Sequence, residues 1–207
     1  EVIKKHAWEL MNRQQVQTMV ENLAKQQPMR VEEVIPKLYS LGELQKILSG
    51  LLRESVPIKN LAAILETMAN NPQMGHNMDD LLEKVRQSLP RVITSRFLNG
   101  DEAGILTLDS DVEQMIAEHT RKTESGKMTI LEPAQMKLLL VNTKALADQL
   151  TMEGKKTVVL TSPVIRQNFK RLIEQALPDV TVLSYTEIQQ NYEIQIAGVV
   201  TTEKKAG

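Results

Sequence analysis

Thr161-Ser162-Pro163 follows an apolar run, Thr157-Val158-Val159-Leu160, and opens a helical pattern. That is the position in which α/β enzymes hold a nucleophile or cradle a phosphate. The Gly-x-Ser-x-Gly elbow that would push such a serine out of the sheet is missing. Ser-Pro is also the pair expected at a helix cap followed by a first-turn residue. Ser162 is therefore expected to cap a helix, and a small α/β enzyme with a site near Ser162 is the less favoured alternative. Gly100 and Gly104 bracket Asp101-Glu102-Ala103. Two carboxylates there would repel a phosphate and no Lys-Ser/Thr follows, so a turn is expected. The only histidines, His6, His76 and His119, lie far apart in sequence. None has a partner three or four residues away, the spacing a metal site on a helix needs, so no metal site and no cofactor are expected. Asp79/Asp80 and Asp109/Asp111 stand at predicted helix starts, where the helix dipole favours carboxylates without any catalytic role. No combination of nucleophile, base and oxyanion donor can be assembled, and the chain is expected not to be an enzyme.

One charged set does stand out. Glu43, Lys46, Arg53, Glu54 and Lys59 flank a helical seam of Leu41, Leu44, Ile47, Leu48, Leu51 and Leu52. A solvated face accounts for such a set, and so does a subunit or partner contact, since mixed charge beside apolar helices suits specific association. Charge elsewhere is evenly spread. Up to Pro90 the chain carries 11 basic and 11 acidic residues, and after it 14 and 15. Neither part offers the broad electropositive surface by which proteins attract nucleic acid or anionic lipid, so no nucleic-acid partner is expected. Aromatic residues make up 3% of the chain, so the core must be aliphatic and no stacking platform for bases or sugars is available. Cysteine is absent, which removes disulfides, thiolate chemistry and zinc–cysteine sites. No apolar run approaches the roughly 20 residues that span a bilayer. Glu1 begins inside a helical pattern without an initiating Met, as in a piece of a longer chain.

The elements that would position these residues fall into two groups. Residues 1–26 are broadly helical in spacing, and Pro28 ends or interrupts the pattern. Helices are expected over 31–40 and 41–54, the second with a regular apolar stripe. Ser55 is expected to cap a helix carrying Leu61, Ile64, Leu65 and Met68. Asn70-Asn71-Pro72 is a stop, 79–88 a further short helix, and Pro90 closes the section. The pattern then changes. Residues 91–97 suit a strand or a helix, 105–108 a short strand, and a helix through 118 is capped by Asp109 or Ser110, with Glu113 placed to complete a capping box from Ser110. Residues 120–127 suit an exposed polar loop and 132–149 a long helix with Pro133 in its first turn. Strands are expected at 157–161 and 180–184, joined by a helix in a parallel crossover, with an edge strand at 194–200. The expected class is α+β: an N-terminal helical subdomain followed by a small α/β subdomain with a short mixed sheet. The expected division is 1–28, the end of a preceding subdomain; 29–90, helical; 91–201, α/β; and 202–207, a disordered tail.

The ordered succession of several strings carries a resemblance. Leu41-Gly42-Glu43-Leu44 through Leu51-Leu52-Arg53-Glu54, then Val56-Pro57-Ile58-Lys59-Asn60-Leu61 and Ile64-Leu65-Glu66, resembles the helical segment of the export-gate proteins of type III secretion systems, the FlhA/SctV family. Leu106-Thr107-Leu108-Asp109 with Glu113 is similar to their next segment. The strongest match is Val159-Leu160-Thr161-Ser162-Pro163-x-Ile165-Arg166, continued by Leu177-Pro178-Asp179 and Val182-Leu183-Ser184-Tyr185-x-Glu187-Ile188. Pro57-Ile58-Lys59-Asn60 departs from the family, many members of which have Ile-Arg-Asp after the Val.

The resemblance implies a non-enzymatic, C-terminal cytosolic region of an inner-membrane protein, on the cytoplasmic face of the bacterial inner membrane. It implies a homo-oligomeric, nine-subunit ring that receives secretion substrates, their chaperones and gatekeeper proteins, and that meets other export-apparatus and ATPase-complex components. The membrane is then reached only through a transmembrane part outside this sequence, and the chaperone-binding region of the flagellar members also lies outside it. A generic helical adaptor is the alternative from another class, distinguished by remaining monomeric.

Overall fold

The computed structural model describes residues 8, 11–74, 77–123 and 126–203. The chain divides into two compact units, residues 1–96 and 97–207.

The described part of the first unit is helical: α1 (Arg13–Ala24), α2 (Pro28–Val34), α3 (Leu41–Arg53), α4 (Leu61–Ala69), α5 (Met78–Gln87) and α6 (Pro90–Phe97), the last reaching the first residue of the second unit. The helical pattern of the first 26 residues is interrupted, because Asn12 caps α1 and exchanges side-chain bonds with Gln15 across the first turn. Pro28 starts α2 instead of merely ending α1, as its fixed φ and missing N–H allow at a first position. That helix stops at Val34, short of the expected Ser40. Ser40 itself caps α3, its hydroxyl and amide both bonded within a capping box with Glu43. Leu44, Ile47, Leu48 and Leu51 of α3 are buried with Leu61, Ile64, Leu65 and Met68 of α4. Gly50 allows close approach of α3 and α5, since a Cβ there would lie 2.7 Å from Leu82 Cδ2.

Ser55 does not cap the next helix; Asn60 does, accepting from the Ala63 N–H. Ser55 closes the previous one. Its φ is 59°, the Ser55 N–H donates to Leu52 O, and the Val56 N–H donates to Leu51 O. This is a Schellman ending, normally built on glycine, with the accompanying apolar contact supplied by the buried pair Leu51 and Val56. Pro90 opens α6, which settles residues 91–97 as helix.

The second unit runs β1 (Ala103–Leu108), α7 (Ser110–Glu118), β2 (Thr120–Thr123), β3 (Gly126–Thr129), α8 (Pro133–Met152), β4 (Lys156–Thr161), α9 (Arg166–Ile173), β5 (Thr181–Ser184) and β6 (Ile196–Val200). Four strands form a parallel sheet in the order β5-β4-β1-β6, and β2 with β3 form a separate antiparallel pair. The α+β class is as the sequence indicates, and β6 is an edge strand. The stretch expected as a loop over 120–127 is instead this hairpin. Its polar residues hid it, because Thr120 and Thr129 pair through their hydroxyls at 2.7 Å rather than through apolar side chains.

Leu106 and Leu108 of β1, Val159 of β4, Val182 of β5 and Val200 of β6 form one core with Leu139, Ala147 and Leu150 of α8 and Phe169 and Ile173 of α9. On the opposite side of the strands Ile105, Val158, Leu160 and Leu183 are buried too, the two-sided burial usual for parallel sheets. Gly104 admits α8: a Cβ there would lie 2.5 Å from Leu150 Cδ2. Helix α8 ends in the same Schellman pattern as α3, here with glycine at the left-handed position, Gly154 at φ 75°.

Candidate functional site

Ser162 lies at the C-terminal end of β4, but the helix it was expected to cap begins only at Arg166, after a turn over 163–165. Its hydroxyl is not the cap. Its N–H donates to Glu113 Oε1 at 2.8 Å, and its carbonyl accepts from the Ile165 N–H. Glu113 therefore does not close a box with Ser110; Asp109 caps α7 by accepting from the Asp111 N–H at 2.9 Å. A carboxylate on α7 thus pins the peptide after β4, 49 residues away in sequence. The same carboxylate is a secondary cause, after burial, of the raised pKa of the Tyr185 phenol. This arrangement holds a turn; it presents no activated hydroxyl.

Beside it is a buried ion pair that the sequence reading passed over. Arg166 and Glu187 are both 0% exposed, with Arg166 Nε 4.0 Å from Glu187 Oε1. Arg166 Nη1 also donates to Val182 O at 3.2 Å. Glu187 Oε2 accepts from the Ser184 N–H at 2.7 Å and closes the short 3-10 turn Tyr185–Glu187. The start of α9 is fastened in this way to the end of β5. Both residues stand in the strings that carry the resemblance, and an arginine followed by Phe169 and Ile173 at helical spacing was the available signal.

The charged set on the helical unit separates into two kinds. Glu43 belongs to the α3 capping box. Glu54 Oε2 lies 3.4 Å from Nη1 of Arg86, which is 1% exposed. These carboxylates organise the two ends of α3. Lys46, Arg53 and Lys59 are exposed. Lys46 and Arg53 are seven residues apart, two helical turns, and so share a flank of α3. The Arg53 guanidinium carbon lies 5.6 Å from the centre of the Trp8 ring, within range of a cation–π contact. The structure thus places Lys46 and Arg53 on one flank and Glu43 and Glu54 at the two ends of α3.

His119 ends α7 with Nδ1 2.8 Å from Met115 O; His6 and His76 lie outside the described residues. Among the described residues no helix is long and apolar enough to cross a membrane.

The chain belongs to the FHIPEP family, whose model matches residues 1–193. It is 38% identical over 201 residues to the flagellar biosynthesis protein FlhA of Bacillus subtilis, covering 97% of this chain and 30% of that protein. The fold is similar to the Chlamydia pneumoniae CdsV protein, with a TM-score of 0.88 and 31% identity over 97% of this chain and 57% of that one. CdsV has also been solved in complex with CdsO. A nonameric SctV-C from EPEC is similar with a TM-score of 0.85 and 26% identity, over 96% of this chain and 60% of that one. The chain therefore spans about a third of the length of the curated relatives.

Proposed function

We propose that this chain is the C-terminal portion of the cytosolic region of a type III secretion export gate, of the flagellar branch, and that it works in a ring of nine copies. The observation that carries the reading is the likeness to a nonameric SctV-C over 96% of this chain, joined to 38% identity with a flagellar FlhA. The work of such a portion is non-enzymatic: it presents surfaces at the cytoplasmic face of the inner membrane to exported substrates, their chaperones and gatekeepers, and to apparatus components. A partner occupying the place that CdsO takes on CdsV belongs to the same reading.

The exposed flank of Lys46 and Arg53, with Lys59 in the following loop, is the part of this chain assigned to the contact between ring neighbours. An arginine there can form a two-pronged contact with a carboxylate that lysine cannot reproduce. Each such contact at an exposed rim contributes about 0.2–1 kcal/mol. Repetition around a closed ring makes assembly sensitive to it.

The test uses the complete cytosolic region carrying Arg53→Glu, with Lys46→Glu as a second variant away from the Trp8 contact. Circular dichroism, particle size by mass photometry, and secretion in cells are measured together. The expected result is a folded subunit with fewer rings and reduced export. Higher salt should narrow the gap to wild type, because it screens both the native attraction and the new repulsion. Normal rings from both variants would remove this flank from the contact. A wild-type region that remains monomeric at high concentration would remove the ring itself and favour a monomeric adaptor.

A further inference from the structure

Strand β6 leaves one side of the parallel sheet open. Ile105 faces Ile196 and Thr107 faces Val199 in the register with β1, whereas Gly198 and Val200 pair with Leu106 and Leu108 of the core face. The register shifts between Ile105 and Leu106, where β6 carries one extra residue, Ala197, so Ile196 and Val199, three apart, share the face away from α8. They remain 56% and 47% exposed, although their partners Ile105 and Thr107 are buried.

The opposite face is closed by α8. Asn142 of α8 donates to the carbonyl of Thr201 just after β6, and the half-buried Leu146 lies against Gly198. The flank of α8 at Leu146 therefore borders the edge.

A groove also opens at the N-terminal end of β6, lined by Asp101, Gly104, Lys155, Tyr192, Glu193 and Ile196. Lys155 is already paired with Glu153 at 3.0 Å, which leaves acidic character at the mouth from Asp101 and Glu193.

We infer that the β6 edge is a strand-addition site for an extended segment of another protein, with a basic residue leading alternating apolar side chains. Its main chain would pair with β6. Its apolar side chains would rest against Ile196 and Val199 on one face and the α8 flank at Leu146 on the other. The basic residue would sit between Asp101 and Glu193. Edge pairing supplies affinity and flanking pockets supply selectivity in such complexes.

The probe is a fluorescein-labelled peptide with one lysine followed by alternating valine and threonine, titrated into the whole chain. Saturable binding is expected, with slowed amide exchange in residues 195–199. N-methylation of alternate peptide amides should abolish it, because the side chains stay while the donors go. Val199→Lys and Ile196→Lys, both at exposed positions of β6, should each weaken binding about tenfold, with unchanged circular dichroism. Glu193→Gln should weaken the lysine peptide and leave a glutamine-led peptide unaffected. Equal binding of the N-methylated peptide, or protection confined to other residues, would overturn the proposal. So would indifference to both lysine substitutions. Slowed exchange in residues 195–199 that rises with protein concentration and needs no peptide would assign the edge to a second copy instead, and would overturn it as well.

Discussion

Removing the Glu187 carboxylate is the sharpest test of how the α/β unit is fastened. Glu187 and Arg166 are both fully buried, and Glu187 serves two elements at once through Arg166 and the Ser184 N–H. Glu187→Ala deletes both contacts and leaves a buried guanidinium whose charge is no longer balanced by this carboxylate. Breaking a buried pair from one side costs about 3–5 kcal/mol. A small domain has roughly 5–15 kcal/mol in all, so the unit should lose a large share of its stability. Glu187→Gln separates the components: the amide oxygen can still accept from Ser184, so the excess cost of alanine over glutamine reports the turn, and the cost of glutamine reports the charge. The double variant Arg166→Met/Glu187→Leu should recover most of the loss, because well-packed apolar replacements of a buried pair are often neutral or better. Urea unfolding followed by circular dichroism gives the three numbers, with Trp8 emission following the first unit separately. Costs below about 0.5 kcal/mol for Glu187→Gln, in the range of ordinary surface changes, would refute the claim that the pair's charge fastens α9 to β5.

Two further outcomes follow from the backbone. Gly104→Ala should destabilise the second unit by about 1–3 kcal/mol, since its Cβ would meet Leu150 Cδ2 at 2.5 Å and Leu150 Cγ at 2.9 Å; the shift of the urea midpoint measures it, and Leu150→Ala in the same background should relieve the clash though it opens a cavity of its own. Ser55→Gly should stabilise the first unit by a few tenths to about 1 kcal/mol, because Ser55 holds φ 59° at a position that suits glycine; a lower melting temperature would show that the serine side chain contributes more than its backbone strain costs.

Apolar periodicity made α3, α4 and α5 legible but left 91–97 open between strand and helix, and the strands at 156–161 and 181–184 were legible as short apolar runs between turn residues. Two of the features that escaped the sequence share one physical cause: polar side chains or amides that bond to something distant. The hairpin of β2 and β3 is held by threonine hydroxyls and by an Arg171 Nη1 bond to Lys127 O, 44 residues away, which no local pattern announces. Ser162 has the neighbours of a cap, but Glu113 had already taken its amide. Ser55 and Asn60 are both plausible caps by type, and only the left-handed φ of Ser55 decides between them. Among the five charged residues singled out, composition could not separate Glu54, partnered with a buried arginine, from Arg53 beside it, because the two differ only in which side of the α3 end they leave from.

That separation bears on how the surface is presented. The α3 flank is defined at one end by the Ser40–Glu43 box and at the other by the Ser55 turn and the Glu54–Arg86 pair. Buried ion pairs are weak contributors to net stability, so stability alone is a poor reason for Arg86 to sit inside an aliphatic core. Geometry is a better one. A guanidinium that must meet a carboxylate tolerates fewer arrangements than two leucines would, and it ties α5 to the end of α3. In a closed ring each subunit offers one face to its neighbour and receives another, so an angular error in the flank recurs at every contact and prevents closure. A helix held at both termini by directional bonds limits that error in a way that apolar packing, which is non-directional, cannot. On this argument Arg86→Met/Glu54→Leu, which removes both members of the pair, should leave the helical unit stable yet lower the fraction of closed rings, the reverse of what a purely stabilising role would produce.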